Sequence, residues 1–185
     1  MPRLLVLSAS TRSVSNGRPF AHWVAETATG HGAFAVETVD LRELALPLLD
    51  EPEYASTGIY THQHTRDWSA VAAAADAFVF VMPMYNGGFT APLKNALDHL
   101  YAEWQGKPVG LVSYSAGPTG GAPAAEMLLP VLSRLGMRPA TRRPAVPAIH
   151  SLVADGVFTP SAGLGEELTA LLDELGKLTV DERLA

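Results

Sequence analysis

The sequence contains no cysteine, which excludes disulfides, thiolate catalysis and cysteine-ligated zinc or iron–sulfur centres. Basic residues are also scarce, with 13 Lys and Arg against 19 Asp and Glu, giving a formal net charge of −6. Nucleic-acid binders normally carry a basic face, so a nucleic-acid partner is not expected. No apolar run approaches the roughly 20 residues of a membrane span, and the short apolar start is too weakly basic for a signal peptide. We therefore expect a cytoplasmic protein with no membrane partner.

The residues that are present are those of an ordinary globular chain. Of the 185 residues, 48% are hydrophobic and 17% are charged, unlike the composition of disordered proteins. This length suits one domain with a sizeable core, and the sequence shows no repeat, linker or low-complexity tract. We therefore expect a single domain over residues 1–185.

Apolar runs that predict strands alternate with stretches that predict helices. Strands are expected at residues 3–8, 34–39, 77–82, 108–113 and 138–149, and helices at residues 19–29, 67–75, 91–100, 123–135 and 166–178. Continuous apolar strands are typical of a parallel sheet covered by helices on both faces. Five such strands predict an α/β, flavodoxin-like three-layer sandwich with strand order 2-1-3-4-5. The long irregular segment 44–65, rich in Pro, Tyr and His, predicts a functional or interfacial insert.

Three polar loops follow the first, third and fourth strands, at residues 9–18, 83–90 and 114–122. In parallel α/β sheets such loops meet at the carboxyl edge, where ligands bind. The first loop is rich in hydroxyl groups and precedes a helix, so hydroxyls, backbone amides and the helix dipole could together bind a phosphate. Arg12 could add a charge-assisted contact. Alternatively, the serines and threonines of this loop only cap the helix.

The other two loops offer backbone and ring surfaces rather than reactive groups. Residues 83–88 read Pro-Met-Tyr-Asn-Gly-Gly and provide amides, a Tyr ring and a carboxamide, without an obvious nucleophile or base. The glycines of residues 113–121 would let a ring system lie against the backbone. The loops match neither G-x-G-x-x-G, nor a Walker A loop, nor G-x-S-x-G, which disfavours a dinucleotide Rossmann site, a P-loop NTPase and a serine hydrolase. A flat cofactor is favoured, although each loop alone could be a plain turn or a surface loop.

These stretches closely resemble the NADPH-dependent FMN reductase family, whose flavodoxin-like members include quinone, azo and chromate reductases. The family typically carries G-S-x-R after strand one, P-E-Y-N followed by L-K-N-A-L-D after strand three, and a G-x-x-G-G-type loop after strand four. The matching stretches here are Ala9 to Arg12, Pro83 to Asn86 with Leu93 to Asp98, and Ser115 to Gly121. Two residues depart from the pattern: Ala9 stands in place of Gly, and Met84 in place of Glu.

The resemblance implies an FMN-dependent NAD(P)H oxidoreductase that passes a hydride from NADPH or NADH through bound FMN to a small acceptor such as a flavin or quinone. No catalytic side chain and no metal would be needed, because the flavin carries the chemistry. By the same resemblance, the cofactor-binding residues would be Ser10, Thr11, Arg12, Ser15, Asn16, Gly17, Pro83, Met84, Tyr85, Asn86, Gly87, Ser115, Gly117, Gly120 and Gly121. The family also implies a homodimer or homotetramer. Two alternatives stay open: a flavodoxin-type electron carrier that does not oxidise NAD(P)H, and a scaffold that has lost its flavin.

Four residues outside these loops also invite a functional interpretation. His62 and His64 have the spacing of some metal ligands, but no second cluster has a matching spacing, so a polar loop is favoured. Tyr101 and Trp104 could lie in the core or at an interface, and an interface is favoured because aromatic residues are enriched there.

Overall fold

The computed structural model describes the backbone of residues 1–184 and the side chains of residues 1–180. The strands are β1 (Arg3–Ser8), β2 (Ala35–Asp40), β3 (Ala77–Pro83), β4 (Pro108–Tyr114), β5 (Arg138–Pro139), β6 (Ala145–Val146), β7 (Val153–Ala154) and β8 (Val157–Phe158). The helices are α1 (Gly17–His31), α2 (Leu41–Leu44), α3 (Gln63–Ala74), α4 (Ala91–Asp98), α5 (Ala122–Arg134) and α6 (Leu164–Leu184). Short 3₁₀ helices lie at Ala55–Thr57, Ala102–Trp104 and Ile149–Ser151.

The main sheet is parallel and has the strand order β2-β1-β3-β4-β5, with β6 also paired to β4. The predicted sheet order and flavodoxin-like fold class are therefore confirmed. Strands β7 and β8 form a separate antiparallel pair that the sequence analysis did not predict.

Helices cover both faces of the sheet because its central strands are apolar on both sides. Along β1, Leu5 and Leu7 belong to one core cluster, whereas Leu4 and Val6 belong to the other. The first cluster is closed by side chains of α3, α4 and α5, and the second by side chains of α1 and α6. Every residue of β3 and β4 is buried. This alternation is the three-layer arrangement that continuous apolar strands predict.

The predicted fifth strand over residues 138–149 is wrong as one continuous element. Only two short pieces pair with β4: β5 at Pro108 and Val109, and β6 at Ser113 and Tyr114. Pro144 lies between the two pieces and lacks the N–H that a continuous ladder needs, so the pairing is interrupted there.

Other boundaries and one burial expectation also differ from the structure. Helix α3 begins at Gln63, four residues before the predicted start, and α6 runs from Leu164 to Leu184 instead of 166–178. Trp104 was expected at an interface, but it is completely buried, donates its indole N–H to the Leu97 carbonyl and packs on Phe78. Across residues 1–184, no helix combines the length and apolarity that crossing a membrane requires.

Thr90 connects the loop after β1 to the start of α4. Its hydroxyl oxygen accepts a hydrogen bond from the Leu93 N–H at 3.3 Å, which caps the helix. The same hydroxyl donates to the Ala9 carbonyl at 2.9 Å. Because Thr90 is only 2% exposed, water cannot replace either contact. One side chain therefore holds two of the three loops of the carboxyl edge together.

We expect Thr90→Ala to be less stable than Thr90→Ser by about 1–2 kcal/mol, because the two variants differ only by the hydroxyl group. Both lose the threonine methyl group, so the pair separates hydrogen bonding from packing. Urea unfolding of the flavin-free proteins measures the difference. Equal midpoints for the two variants would show that the Thr90 hydroxyl does not stabilise this edge.

Candidate functional site

The three loops predicted to meet do meet at the carboxyl edge of the sheet. Strand pairing sets Ser8 beside Val81 and Pro83 beside Tyr114, so β1, β3 and β4 end at nearly the same level. Two backbone hydrogen bonds continue the pairing past the strand ends, from Ala9 N–H to the Val81 carbonyl at 2.9 Å and from Met84 N–H to the Tyr114 carbonyl at 3.1 Å.

Four hydroxyl groups lie together at the start of α1 and are called here the hydroxyl cluster: those of Ser10, Ser15, Tyr85 and Tyr114. Ser15 donates to Ser10 at 3.0 Å, and the hydroxyls of Ser10 and Tyr85 lie 3.1 Å apart. The Ser15 oxygen also accepts the backbone N–H of Gly17, the first residue of α1, at 3.1 Å. Part of the loop thus caps the helix, as the alternative interpretation held. The hydroxyl groups are nevertheless concentrated where an anion would meet a helix N-terminus.

Tyr114 is the fourth member of the hydroxyl cluster, and its hydroxyl lies against Gly17. It is the last residue of β4, is 5% exposed, and packs edge-on against Phe20 with ring centres 5.8 Å apart. Burial raises the pKa of the Tyr114 phenol to about 12, although hydrogen bonding with Ser15 and Ser10 opposes the shift. The phenol is therefore protonated at neutral pH. A Cβ atom on Gly17 would overlap its hydroxyl oxygen, so a glycine at this position is required by packing.

An open cavity of about 330 Å³ lies beside the hydroxyl cluster, and its volume is within the usual range of small-molecule sites. Its lining residues are Ser10, Arg12, Val14, Ser15, Asn16, Met84, Tyr85, Tyr114, Ser115, Ala116, Ile149 and His150. Seven of the fifteen predicted cofactor residues are in this set: Ser10, Arg12, Ser15, Asn16, Met84, Tyr85 and Ser115. Sequence reasoning did not assign Val14, Tyr114, Ala116, Ile149 or His150 to it.

The Asn86–Gly87 pair forms a tight turn beside the cavity. Tyr85 and Gly88 exchange two backbone hydrogen bonds, of 2.9 and 3.0 Å, around these two residues. Both have positive φ, 52° for Asn86 and 86° for Gly87, which is the conformation of a type I′ hairpin turn. This turn projects Tyr85 towards Ser10. Backbone geometry therefore explains the Asn-Gly sequence without a ligand, and the contact of Asn86 and Gly87 with a cofactor stays a prediction.

Three of the remaining predicted residues have packing roles. Gly120 and Gly121 are buried. A Cβ atom on Gly120 would lie 2.6 Å from the carbonyl carbon of Ala145, and one on Gly121 would lie 2.9 Å from the backbone carbonyl oxygen of Tyr114. Pro83 is buried at the end of β3. The assignment of these three residues to the cofactor stays a prediction.

Gly117 and Thr11 complete the predicted set. Gly117 lies in the third loop, where its carbonyl accepts a hydrogen bond from Ser115 at 3.1 Å. Thr11 instead lines a neighbouring cavity of about 340 Å³ that α2 and the start of α4 enclose, together with Arg42, Leu46 and Asn95. Their contact with a cofactor also stays a prediction.

The two departures from the family pattern have different structural consequences. Ala9 is buried and does not have positive φ, so its methyl group causes no backbone strain at the start of the loop 9–18. Met84 lines the cavity and packs against the core. No Asp or Glu occurs among the described residues that line the cavity, whereas Arg12 and His150 do.

The histidine pair predicted to lie in a polar loop forms part of a ring cluster. The His62 and His64 rings stack 5.2 Å apart, and His64 meets His99 edge-on at 5.7 Å. Within the described chain, no group of three or more His, Asp or Glu side chains has the arrangement of a metal site.

Comparison with known proteins places this geometry in one family. The model of the NADPH-dependent FMN reductase family matches residues 2–150. An NAD(P)H-dependent FMN reductase of Schizosaccharomyces pombe is 43% identical over 178 residues, which are 95% of this chain and 86% of that protein. An FMN-dependent NADPH-azoreductase of Staphylococcus aureus is 32% identical over 134 residues, 72% of this chain and 71% of that protein. The structure of FerB, a flavoenzyme NAD(P)H:(acceptor) oxidoreductase of Paracoccus denitrificans, shares the fold with a TM-score of 0.75 at 22% identity, covering 96% and 98% of the two chains.

The parallel sheet and the helices on both of its faces define a flavodoxin-like protein. The chain belongs to the NADPH-dependent FMN reductase family. The predicted activity, an oxidoreductase that uses FMN and NAD(P)H, is confirmed with it.

The residues present fit an FMN phosphate. Ser10, Ser15 and Tyr85 bring hydroxyl groups to a helix N-terminus, and Arg12 adds a positive charge. Among the described residues, Arg12 has neither an ion pair nor a side-chain hydrogen bond, so its guanidinium is available to a ligand.

We expect Arg12→Ala to weaken FMN binding by about 1.5–3 kcal/mol, because it removes a charged donor from the phosphate. Isothermal titration of the flavin-free protein with FMN measures the loss. Arg134→Ala is the matched control, since Arg134 is an exposed arginine in the last turn of α5, outside the cavity lining. Equal affinities for Arg12→Ala and wild type would remove Arg12 from the site.

Proposed function

We propose that FMN binds in the 330 Å³ cavity at the carboxyl edge, with its phosphate against the hydroxyl cluster at the start of α1. The chemistry that FMN supplies when bound is the transfer of two electrons from NAD(P)H to an acceptor. The observation that carries this proposal is the convergence of Ser10, Ser15 and Tyr85, from two separate loops, on the N-terminus of one helix. A bound phosphate needs those groups at a single place.

The chain's own residues bind, orient and shield. Serine hydroxyls and Arg12 provide donors and charge for the phosphate, while Met84 and the Tyr85 ring provide apolar surface for a flat ring system. Tyr85 is 39% exposed, so part of its ring is free to contact a ligand. Within the described cavity lining there is no carboxylate, and Arg12 is the one side chain with a permanent charge. This lining suits an enzyme whose cofactor performs the reaction.

We infer that the acceptor is a small aromatic molecule such as a flavin, a quinone or an azo compound. The Staphylococcus relative is named an azoreductase, and the Schizosaccharomyces relative an FMN reductase. The cavity is open on one side, which would let such a molecule approach the bound cofactor. The expected cytoplasmic location and the lack of a nucleic-acid partner stay predictions.

We further infer that the chain assembles as a homodimer or homotetramer through the insert 44–65. Exposed apolar side chains concentrate there: Leu48 is 82% exposed, Tyr54 83% and Ile59 60%. Glu51 holds the insert in shape by accepting the backbone N–H groups of Thr61 and His62 at 2.7 and 3.1 Å. An ordered segment that presents apolar side chains to water is typical of an interface.

Anaerobic addition of NADPH to the FMN-loaded protein should rapidly bleach the flavin absorbance near its visible maximum. Free FMN at the same concentration is the control and should react far more slowly, because it lacks the positioning that the protein provides. A protein that holds FMN but is not bleached would be a flavodoxin-type electron carrier. A protein that cannot be loaded with FMN at all would contradict the proposed site.

Light scattering during size-exclusion chromatography should give a mass that is a two- or fourfold multiple of the 19.6 kDa chain. Leu48→Asp should shift the protein towards the monomer, because it places a charge in an apolar interface. Val157→Asp is the matched control: Val157 is 64% exposed but lies in β8, outside the insert. A monomeric wild type would refute the assembly, and an unaltered mass for Leu48→Asp would remove the insert from it.

A further inference from the structure

Tyr114 begins the predicted loop 114–122 but was not among the predicted cofactor residues, yet its hydroxyl lies against Gly17 at the end of the phosphate loop. Its ring is anchored in the core by Phe20, and its backbone carbonyl accepts the N–H of Met84. Its hydroxyl occupies the space where any residue larger than glycine at position 17 would place its Cβ atom. The position of this hydroxyl is therefore fixed by the sheet and not by the loop above it.

The hydrogen bonds next to the Tyr114 hydroxyl run in one direction, from Gly17 through Ser15 to Ser10. Because burial keeps the phenol protonated at neutral pH, it can donate to a serine oxygen. The Gly17 N–H donates to Ser15, and Ser15 donates to Ser10. Ser15 has therefore used its one hydrogen, and the hydrogen left over in this chain belongs to the Ser10–Tyr85 pair, both of which line the cavity. A hydroxyl hydrogen that faces the cavity is a donor for an anion.

We propose that Tyr114 is a positioning residue for the FMN phosphate: its buried hydroxyl, packed against Gly17, holds the loop 10–17 at the start of α1, so that the hydrogen-bonded hydroxyls of Ser15, Ser10 and Tyr85 present a donor to the cavity. This inference rests on the proposed FMN site. It extends that site to a residue of β4 that acts through the two serines and distinguishes phosphorylated from unphosphorylated flavin.

The test compares FMN with riboflavin, which has the same ring system but no phosphate. We expect Tyr114→Phe to weaken FMN binding about tenfold, by loss of hydrogen bonds to the phosphate-binding groups, and to change riboflavin binding by less than about twofold. Fluorescence quenching titrations of the flavin-free protein measure both affinities. Tyr60→Phe is the matched control, because the Tyr60 hydroxyl contacts Glu103 at 3.0–3.1 Å, outside the cavity lining, and should change neither affinity.

The ³¹P NMR signal of bound FMN gives a second reading that a general loss of stability would not move. Its chemical shift should change in Tyr114→Phe and stay at the wild-type value in Tyr60→Phe. If riboflavin binds none of the proteins measurably, this shift decides the question. A wild-type FMN affinity in Tyr114→Phe, an equal loss of affinity for both flavins, or an unaltered ³¹P shift would overturn the proposal.

A second variant approaches the same contact from the loop. Gly17→Ala must displace the Tyr114 ring and should weaken FMN binding at least tenfold, whereas Gly30→Ala in the same helix, where nothing lies within 4 Å of the new Cβ atom, should not. Equal FMN affinities for these two variants would also count against the role of Tyr114. A wild type that binds no FMN would instead remove the proposed function and this inference together.

Discussion

The site depends on the parallel register of three apolar strands. The core selects that register, because β1, β3 and β4 are buried on both faces and a slip by one residue would exchange the two core clusters. Once the strands are aligned, Ser10, Tyr85 and Tyr114 follow at the same level of the sheet. Hydrophobic packing of the strands therefore assembles the hydroxyl cluster, and no ligand is needed to bring its side chains together. Thr90 then joins two of the loops through one buried hydroxyl.

Strand–helix alternation was sufficient to predict the main sheet, since β1, β3 and β4 are single apolar runs and β2 alternates apolar with polar residues. The same approach was wrong for residues 138–149, which pair with β4 in only two short pieces with Pro144 between them. It also placed Trp104 at an interface, because aromatic residues are common both there and in cores. Which of the two applies depends on whether the 3₁₀ helix Ala102–Trp104 folds back over the sheet, and this is decided by contacts distant in sequence.

The candidate site was predictable to the extent that its loops are contiguous in sequence. Ser10, Arg12 and Tyr85 follow strands directly, so their place at the edge could be inferred. The predicted loop 114–122 also begins with Tyr114, but this residue was not assigned to the cofactor, because an aromatic side chain at the end of an apolar strand resembles any other core aromatic in sequence. Its significance comes from its close approach to Gly17, 97 positions earlier in the chain, and only coordinates show that approach. Asn86 and Gly87 illustrate the opposite case, in which a family motif satisfies the backbone conformation of a turn.

The charge distribution explains how an acidic protein can accept a phosphorylated ligand. The chain carries a formal charge of −6, yet the described lining of the cavity has no carboxylate and includes Arg12. Fixed hydroxyl and amide dipoles at a helix N-terminus act over short distances, whereas the net charge is spread over the surface and screened by salt within roughly 10 Å. Met84 contributes to this separation, because a Glu at its position would place a negative charge in the lining. The local donors of the cavity, rather than the net charge of the protein, therefore determine which ligand the edge of the sheet can bind.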